Sequence, residues 1–154
     1  MFPNAYGKVG GVAITTGANP LTSVGNDVFI VKYNSSGKSI WAAKISSAAS
    51  DLSYGITTDS SGNVYVTGQG GSSAIPIVAY NADGSIFLPQ LQTSAGSDTF
   101  IVKYNTDGVV QWVTRLASTA NDIGWAIATD SSGNIYLTGQ YGSCLLYTSD
   151  AADD

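Results

Sequence analysis

The chain has 154 residues and a formal net charge of −5, with charged residues at 11% and hydrophobic residues at 44%. That length suits one domain with a moderate core, and 18 glycines beside so few charges point to a β-rich chain with many turns. Six scattered basic residues exclude a nucleic-acid surface, which requires a basic patch. No apolar run approaches the roughly 18 residues that cross a membrane as a helix.

The acidic residues sharpen this reading. All eleven are Asp and none is Glu, a bias toward turns and strand ends and away from helices. Histidine is absent as well. Ser-His-Asp and Cys-His nucleophile systems, His-ligated metals and Glu-based acid–base pairs are therefore excluded within this stretch of chain. No catalytic residue, metal or cofactor is expected.

In chain order, "MFPNAYGKVGG" lacks the basic and apolar regions of a signal peptide and supplies no address. From residue 22 the chain is written twice. Residues 22–69 superimpose on 93–140 at an offset of 71 without a gap, with 26 of 48 positions identical. Such a period signals a repeated fold unit. Each copy predicts four short strands: 27–34, 39–45, 54–59 and 64–68 in the first, and 98–105, 110–116, 125–130 and 135–139 in the second. "NSSG", "NTDG" and two copies of "DSSGN" lie between them, turns in which Asn or Asp bonds its own backbone and Gly supplies positive φ. Asn34, Ser35 and Ser36 fit a glycosylation acceptor pattern, but here they read as a turn. Residues 70–92 are an insertion, and "IVAYNADG" (77–84) inside it echoes "IVKYNTDG" (101–108), which predicts an extra hairpin.

Phe29, Val31 and Tyr33 alternate with Val28 and Ile30, so neither face of the first strand is a solvent face. A four-stranded sheet covered on both sides and repeated in sequence behaves as a propeller blade between neighbours. A stacked β-solenoid is the rival, but its coils are usually shorter and do not pack four antiparallel strands per unit.

"DVFIVKYNSSGKSIWAAKI" followed by "YGITTDSSGNVYVTGQ" resembles the bacterial β-propeller repeats called SBBP, which are similar to NHL-type blades. The resemblance covers about residues 11–143. It implies an all-β, many-bladed propeller on a secreted or cell-surface bacterial protein, with protein binding as the common use. In that blade the "GITTD" strand is innermost, followed outward by "VYVTG", "FIVKYN" and "IWAAKI". "AITTG" (13–17) then matches "VYVTG" (64–68), one whole blade runs from 54 to 116, and half of a third ends at 139. The expected fold is a partial β-propeller that is not closed, in which further blades of the same chain are absent.

The final stretch, "CLLYTSDAADD" (144–154), breaks the pattern and reads as the translation of a transposase-type sequencing adaptor. On that reading it is not native, three Asp leave and the formal charge falls to −2. The authentic part then lacks cysteine and is a fragment of residues 1–143.

Most repeated Asp residues should accept local backbone hydrogen bonds. "DSSGN" lacks the alternating carboxylates and bidentate Glu of a calcium loop. "GQGGSS" (68–73) has no Lys and no following helix, unlike a phosphate loop. Trp41 and Trp112 occupy equivalent positions suited to inter-blade packing. Loops 46–53 and 117–124 should share one rim with the insertion. Ligand-binding candidates there are Asp51, Tyr54, Asp122 and Trp125, with Tyr80 in the insertion. The leading expectation is a non-catalytic structural or protein-interaction module. Polysaccharide recognition on the insert-bearing rim is the second. An enzyme such as a polysaccharide lyase, with its catalytic residues in missing blades, is the third.

Overall fold

The computed structural model describes residues 25–47, 49–70, 78–87 and 96–143. Turns 34–37, 59–62, 81–84, 105–108 and 130–133 share one design. Each ends on a glycine, with φ of 78°, 79°, 83°, 79° and 85° in turn. The glycine amide donates to the carbonyl of the turn's first residue at 2.9–3.1 Å. In four of them the Oδ1 of the leading Asn or Asp also accepts from amides two and four residues on, as Asn34 does from Ser36 and Lys38. These local bonds make the hairpins, because a left-handed glycine after a tight turn matches the strand twist.

Among the described residues the hairpins join ten strands. They are β1 (Val28–Tyr33), β2 (Ser39–Ser46), β3 (Leu52–Thr58), β4 (Val64–Gly70), β5 (Val78–Tyr80), β6 (Ile86–Phe87), β7 (Asp98–Tyr104), β8 (Val110–Leu116), β9 (Ile123–Thr129) and β10 (Ile135–Gln140). They form three antiparallel sheets of order β3-β4-β7-β8, β1-β2-β5-β6 and β10-β9. The middle sheet is a whole blade with the expected strand order from innermost to outermost. No helix occurs among the described residues, so none is long and apolar enough to cross a membrane. Among the described residues none of the sheets closes on itself.

Three boundaries lie two residues away from the sequence reading. β3 and β9 begin two residues earlier, because Leu52 and Ser53 already pair with Gln69 and Gly68 before an irregularity in the ladder. A Cβ at Gly68 would strike the Leu52 carbonyl, so that crossing requires glycine. β4 continues to Gly70 because Asp98 of β7 lies opposite it. The expected match at 13–17 and the tail 144–154 lie outside the described residues.

The core forms where blades meet. Val28, Ile30, Trp41, Ala43 and Ile45 of the first sheet cluster with Val64, Val66, Phe100, Val102, Tyr104 and Val110 of the middle sheet. Trp41 stacks on Tyr104 with centroids 6.0 Å apart, and its Nε1 donates to the Thr106 carbonyl at 2.9 Å. Lys32 Nζ donates to the same carbonyl at 3.0 Å. On the other side of the middle sheet, β9 packs across β3 and β4. Thr129 Oγ1 donates to the Thr58 carbonyl at 2.8 Å, joining the two innermost strands.

The faces not covered by a neighbour correct one expectation. Phe100 is 0% exposed, whereas Phe29 at the same repeat position is 71% exposed. Tyr65 is 1% exposed, while its counterpart Tyr136 is 59% exposed. One face of β1 is therefore open, although its residues are as apolar as those of β7. Burial here belongs to the neighbour and not to the strand.

Candidate functional site

The duplicated "DSSGNxY" resolves into a closed hydrogen-bond network. Asp59 Oδ1 accepts from the Ser61 and Asn63 amides at 2.9 Å each, and Oδ2 accepts from Asn63 Nδ2 at 2.7 Å and the Tyr65 hydroxyl at 3.0 Å. Asp130 repeats these four bonds with Ser132, Asn134 and Tyr136. The donors stabilise the ionised form, so the Asp59 carboxyl is held down to about 2, chiefly by the Asn63 side chain. Asp130 is lowered for the same reason, with Asn134 as the leading cause, and its carboxylate raises the Tyr136 phenol in return. Both carboxylates already hold four donors each, which gives them a structural task.

Asp51 and Asp122 are likewise consumed by their own loops. Asp51 is 1% exposed and accepts from the Ser47 amide at 2.6 Å and the Ser47 hydroxyl at 2.9 Å. Asp122 accepts from the Ser118 hydroxyl at 3.0 Å and the Gly142 amide at 2.8 Å. The backbone amides of Asp51 and Asp122 donate to the Asn26 and Ser97 carbonyls, which ties each inter-blade loop to the chain just ahead of strands β1 and β7. These two candidates are therefore placed to hold loops and not to face a ligand.

Tyr54 and Trp125 are brought together. Both lie on innermost strands, β3 and β9, with ring centroids 4.7 Å apart at 54°. They are 40% and 46% exposed, and Leu52 and Ile56 on β3 are also exposed. Gly55 lets β9 approach, since a Cβ there would press on Ala126 and the Ile127 amide. Tyr54 also lines a cavity of about 230 Å³ with Phe29, Ile30, Ser53, Ile56 and Val66. Tyr80 is elsewhere. It is buried on β5, with Lys44 Nζ 4.9 Å from its ring centroid. The five candidates do not form one site.

The described part of the insertion also departs from the expected rim. Val78 lies opposite Ser46, beside the 46–53 loop, but the turn 81–84 packs on the turn 105–108 at the other end of the neighbouring blade. There the Ala82 amide donates to the Gly108 carbonyl at 2.9 Å, and Asn81 Oδ1 accepts from the Val110 amide at 2.7 Å. The hairpin runs antiparallel to β2, so its turn points away from the loop end.

A family model described as "Beta-propeller repeat", SBBP, matches residues 36–74 and 111–140. Over these two stretches the chain matches the β-propeller repeat family, and its fold is that of an open, partial β-propeller. An uncharacterized WD repeat-containing protein of Acanthamoeba polyphaga mimivirus is 35% identical over 130 residues, covering 82% of this chain and 9% of the relative. The regulatory protein FlaEY of Caulobacter vibrioides is 29% identical over 117 residues, covering 75% of this chain and 11% of the relative. The chain thus spans about a tenth of the length of these relatives.

Sequence reasoning missed the ion pairs of this propeller. Arg115 Nη1 meets Asp98 Oδ2 at 3.1 Å with both side chains buried, and Lys44 meets Asp27 at 3.2 Å at the equivalent, more open place. The signal was present: a basic residue recurs at 44 and 115 whenever Asp recurs at 27 and 98. No group of three metal-ligating side chains occurs among the described residues.

Proposed function

We propose that this chain is a non-catalytic interaction module of a larger secreted or cell-surface protein. The observation that carries the reading is the division of labour among its side chains. The carboxylates repeated in both copies are bound into turns, loops and ion pairs, while the innermost strands present Leu52, Tyr54, Ile56 and Trp125 to solvent. Aromatic rings held on rigid strands bind partners with little ordering cost. The regulatory and WD repeat-containing descriptions of the two relatives support the same direction. The test is affinity crosslinking in the source cells with the parent chain and with a Tyr54→Ser/Trp125→Ser variant. A partner captured by the parent and lost by a folded variant supports the reading, and identical capture by both refutes this surface.

The same pair favours polysaccharide as a second ligand class, because a tilted aromatic pair can stack on sugar rings. Titration of the tryptophan fluorescence with wall and plant polysaccharides distinguishes it. A saturable shift abolished by Trp125→Ser supports carbohydrate, and an unchanged spectrum excludes it.

A further inference from the structure

The turn 81–84 departs from the design of the other four, and the departure reaches the neighbouring blade. In turns 34–37, 59–62, 105–108 and 130–133 the Oδ1 of the leading residue accepts amides of its own turn. In 81–84 that task falls to Asp83, whose Oδ1 accepts from the Ser85 amide at 2.8 Å and the Ser85 hydroxyl at 2.6 Å. These donors hold the Asp83 carboxyl below its ordinary value, chiefly through the Ser85 hydroxyl, so it stays an acceptor at neutral pH. The same hydroxyl accepts from Asn81 Nδ2 at 2.8 Å, which fixes the orientation of the Asn81 amide group. Asn81 Oδ1 is thereby aimed out of its own turn, where it accepts from the Val110 amide of the next blade at 2.7 Å.

The sequence explains why this turn alone behaves so. In the other four the residue after the glycine is Lys38, Asn63, Val109 or Asn134, none of which carries a hydroxyl. Asn105 shows the consequence. Asp107 stands where Asp83 does, but Val109 replaces Ser85, and Asn105 Oδ1 stays on the Asp107 and Val109 amides at 3.0 and 2.9 Å.

The contact sits at a buried place. Val110 opens β8, the outer strand of the middle sheet, and an amide buried there without a partner is costly. Beside it the Ala82 amide donates to the Gly108 carbonyl at 2.9 Å. Gly108 allows this approach, since a Cβ there would strike both Ala82 and Trp41. Lys32 and Trp41 hold the same turn by donating to the Thr106 carbonyl. The hairpin itself is anchored on β2, where Ala79 lies opposite Ile45 and Val78 opposite Ser46. One turn of the middle blade is therefore gripped twice by the first sheet, once from β1 and β2 and once from β5–β6.

We propose that the hairpin β5–β6 is an inter-blade clasp, with Asn81 as its hook and Asp83 and Ser85 as the positioning residues that keep the hook turned outward. The clasp fastens the outer edge of the first blade to that of the second, and its grip on 105–108 supports the grip of Trp41. Without the Ser85 hydroxyl the turn returns to the common design. Asn81 Oδ1 then folds back onto the amides of residues 83 and 85, and Val110 loses its partner although Asn81 is still present.

Hydrogen exchange followed by NMR on the full chain tests this, with Ser85→Val and Ser85→Thr as a pair of like shape that differs by the hydroxyl. Ser85→Val should speed exchange of the Val110 amide about tenfold, the worth of one hydrogen bond, and that of the Trp41 indole N–H to a smaller degree. Ser85→Thr should keep both within about twofold of the parent chain. Unchanged Val110 exchange in Ser85→Val, or equal acceleration in the two variants, overturns the role of the hydroxyl. Asn81→Ala should reproduce the Ser85→Val rates, and a Val110 amide still protected in it removes Asn81 as the hook. Acceleration at Val110 with the Trp41 indole unmoved overturns the coupling of the two grips. The cross-strand contact of Ala79 with Ile45 should persist in all three variants, and its loss together with Val110 protection overturns the hook as the cause.

Discussion

Phe29 and Phe100 hold the same place in the two repeats, yet their removal should have very different consequences. Phe100 is 0% exposed inside the core cluster between the first and middle sheets. Truncating it to Ala deletes a buried ring and leaves a cavity, which costs about 3–5 kcal/mol. Phe29 is 71% exposed, so less than a third of its surface is withdrawn from water. Scaling about 1.5–3 kcal/mol for a fully buried side chain by that fraction leaves less than about 1 kcal/mol. The assay is urea unfolding of Phe100→Ala and Phe29→Ala by circular dichroism, at dilutions where the chain is monomeric. With a slope of about 2 kcal/mol per molar urea, Phe100→Ala should lower the midpoint by about 2 M and Phe29→Ala by less than about 0.5 M. Equal losses would refute the reasoning, because Phe29 would then be covered within a single chain.

Three further outcomes follow from the geometry. Gly37→Ala should cost about 1–2 kcal/mol for its left-handed φ alone, while Gly108→Ala should cost clearly more because its Cβ also strikes Trp41 and Ala82; thermal denaturation of the two variants compares them. Arg115→Met should destabilise by about 3–5 kcal/mol by removing one charge of the buried Arg115–Asp98 ion pair, and Lys44→Met by less than about 1 kcal/mol at the more open pair, both read from urea midpoints. Asp59 has a folded-state pKa depressed from 3.8 to about 2, so its stabilisation is present above about pH 3.8 and is lost as pH falls through about 2; an acid titration of Asp59→Asn should show a shallower decline in that window than the parent chain.

Turn chemistry and strand positions were legible in the sequence because both are local or repeated, whereas the strand order within a blade came from the resemblance to SBBP repeats. Asn34, Asp59, Asn105 and Asp130 bond amides within four residues, and glycine three positions later accepts the positive φ, so these turns read directly from the letters. The 71-residue period then placed the same four strands twice. Tertiary structure alone decided what those residues face. Asp51 and Asp122 look like ligand groups beside aromatic residues, but the loops fold back so that Ser47 and Ser118 bind them. Tyr54 and Trp125, 71 residues apart, meet because successive blades set their innermost strands side by side. Phe29 and Phe100 sit in the same local sequence, "FIVKYN", and differ from 71% to 0% exposure. A strand's own residues make it fit to be buried, but only a neighbouring sheet removes it from water, and the position of that neighbour is not written in the strand.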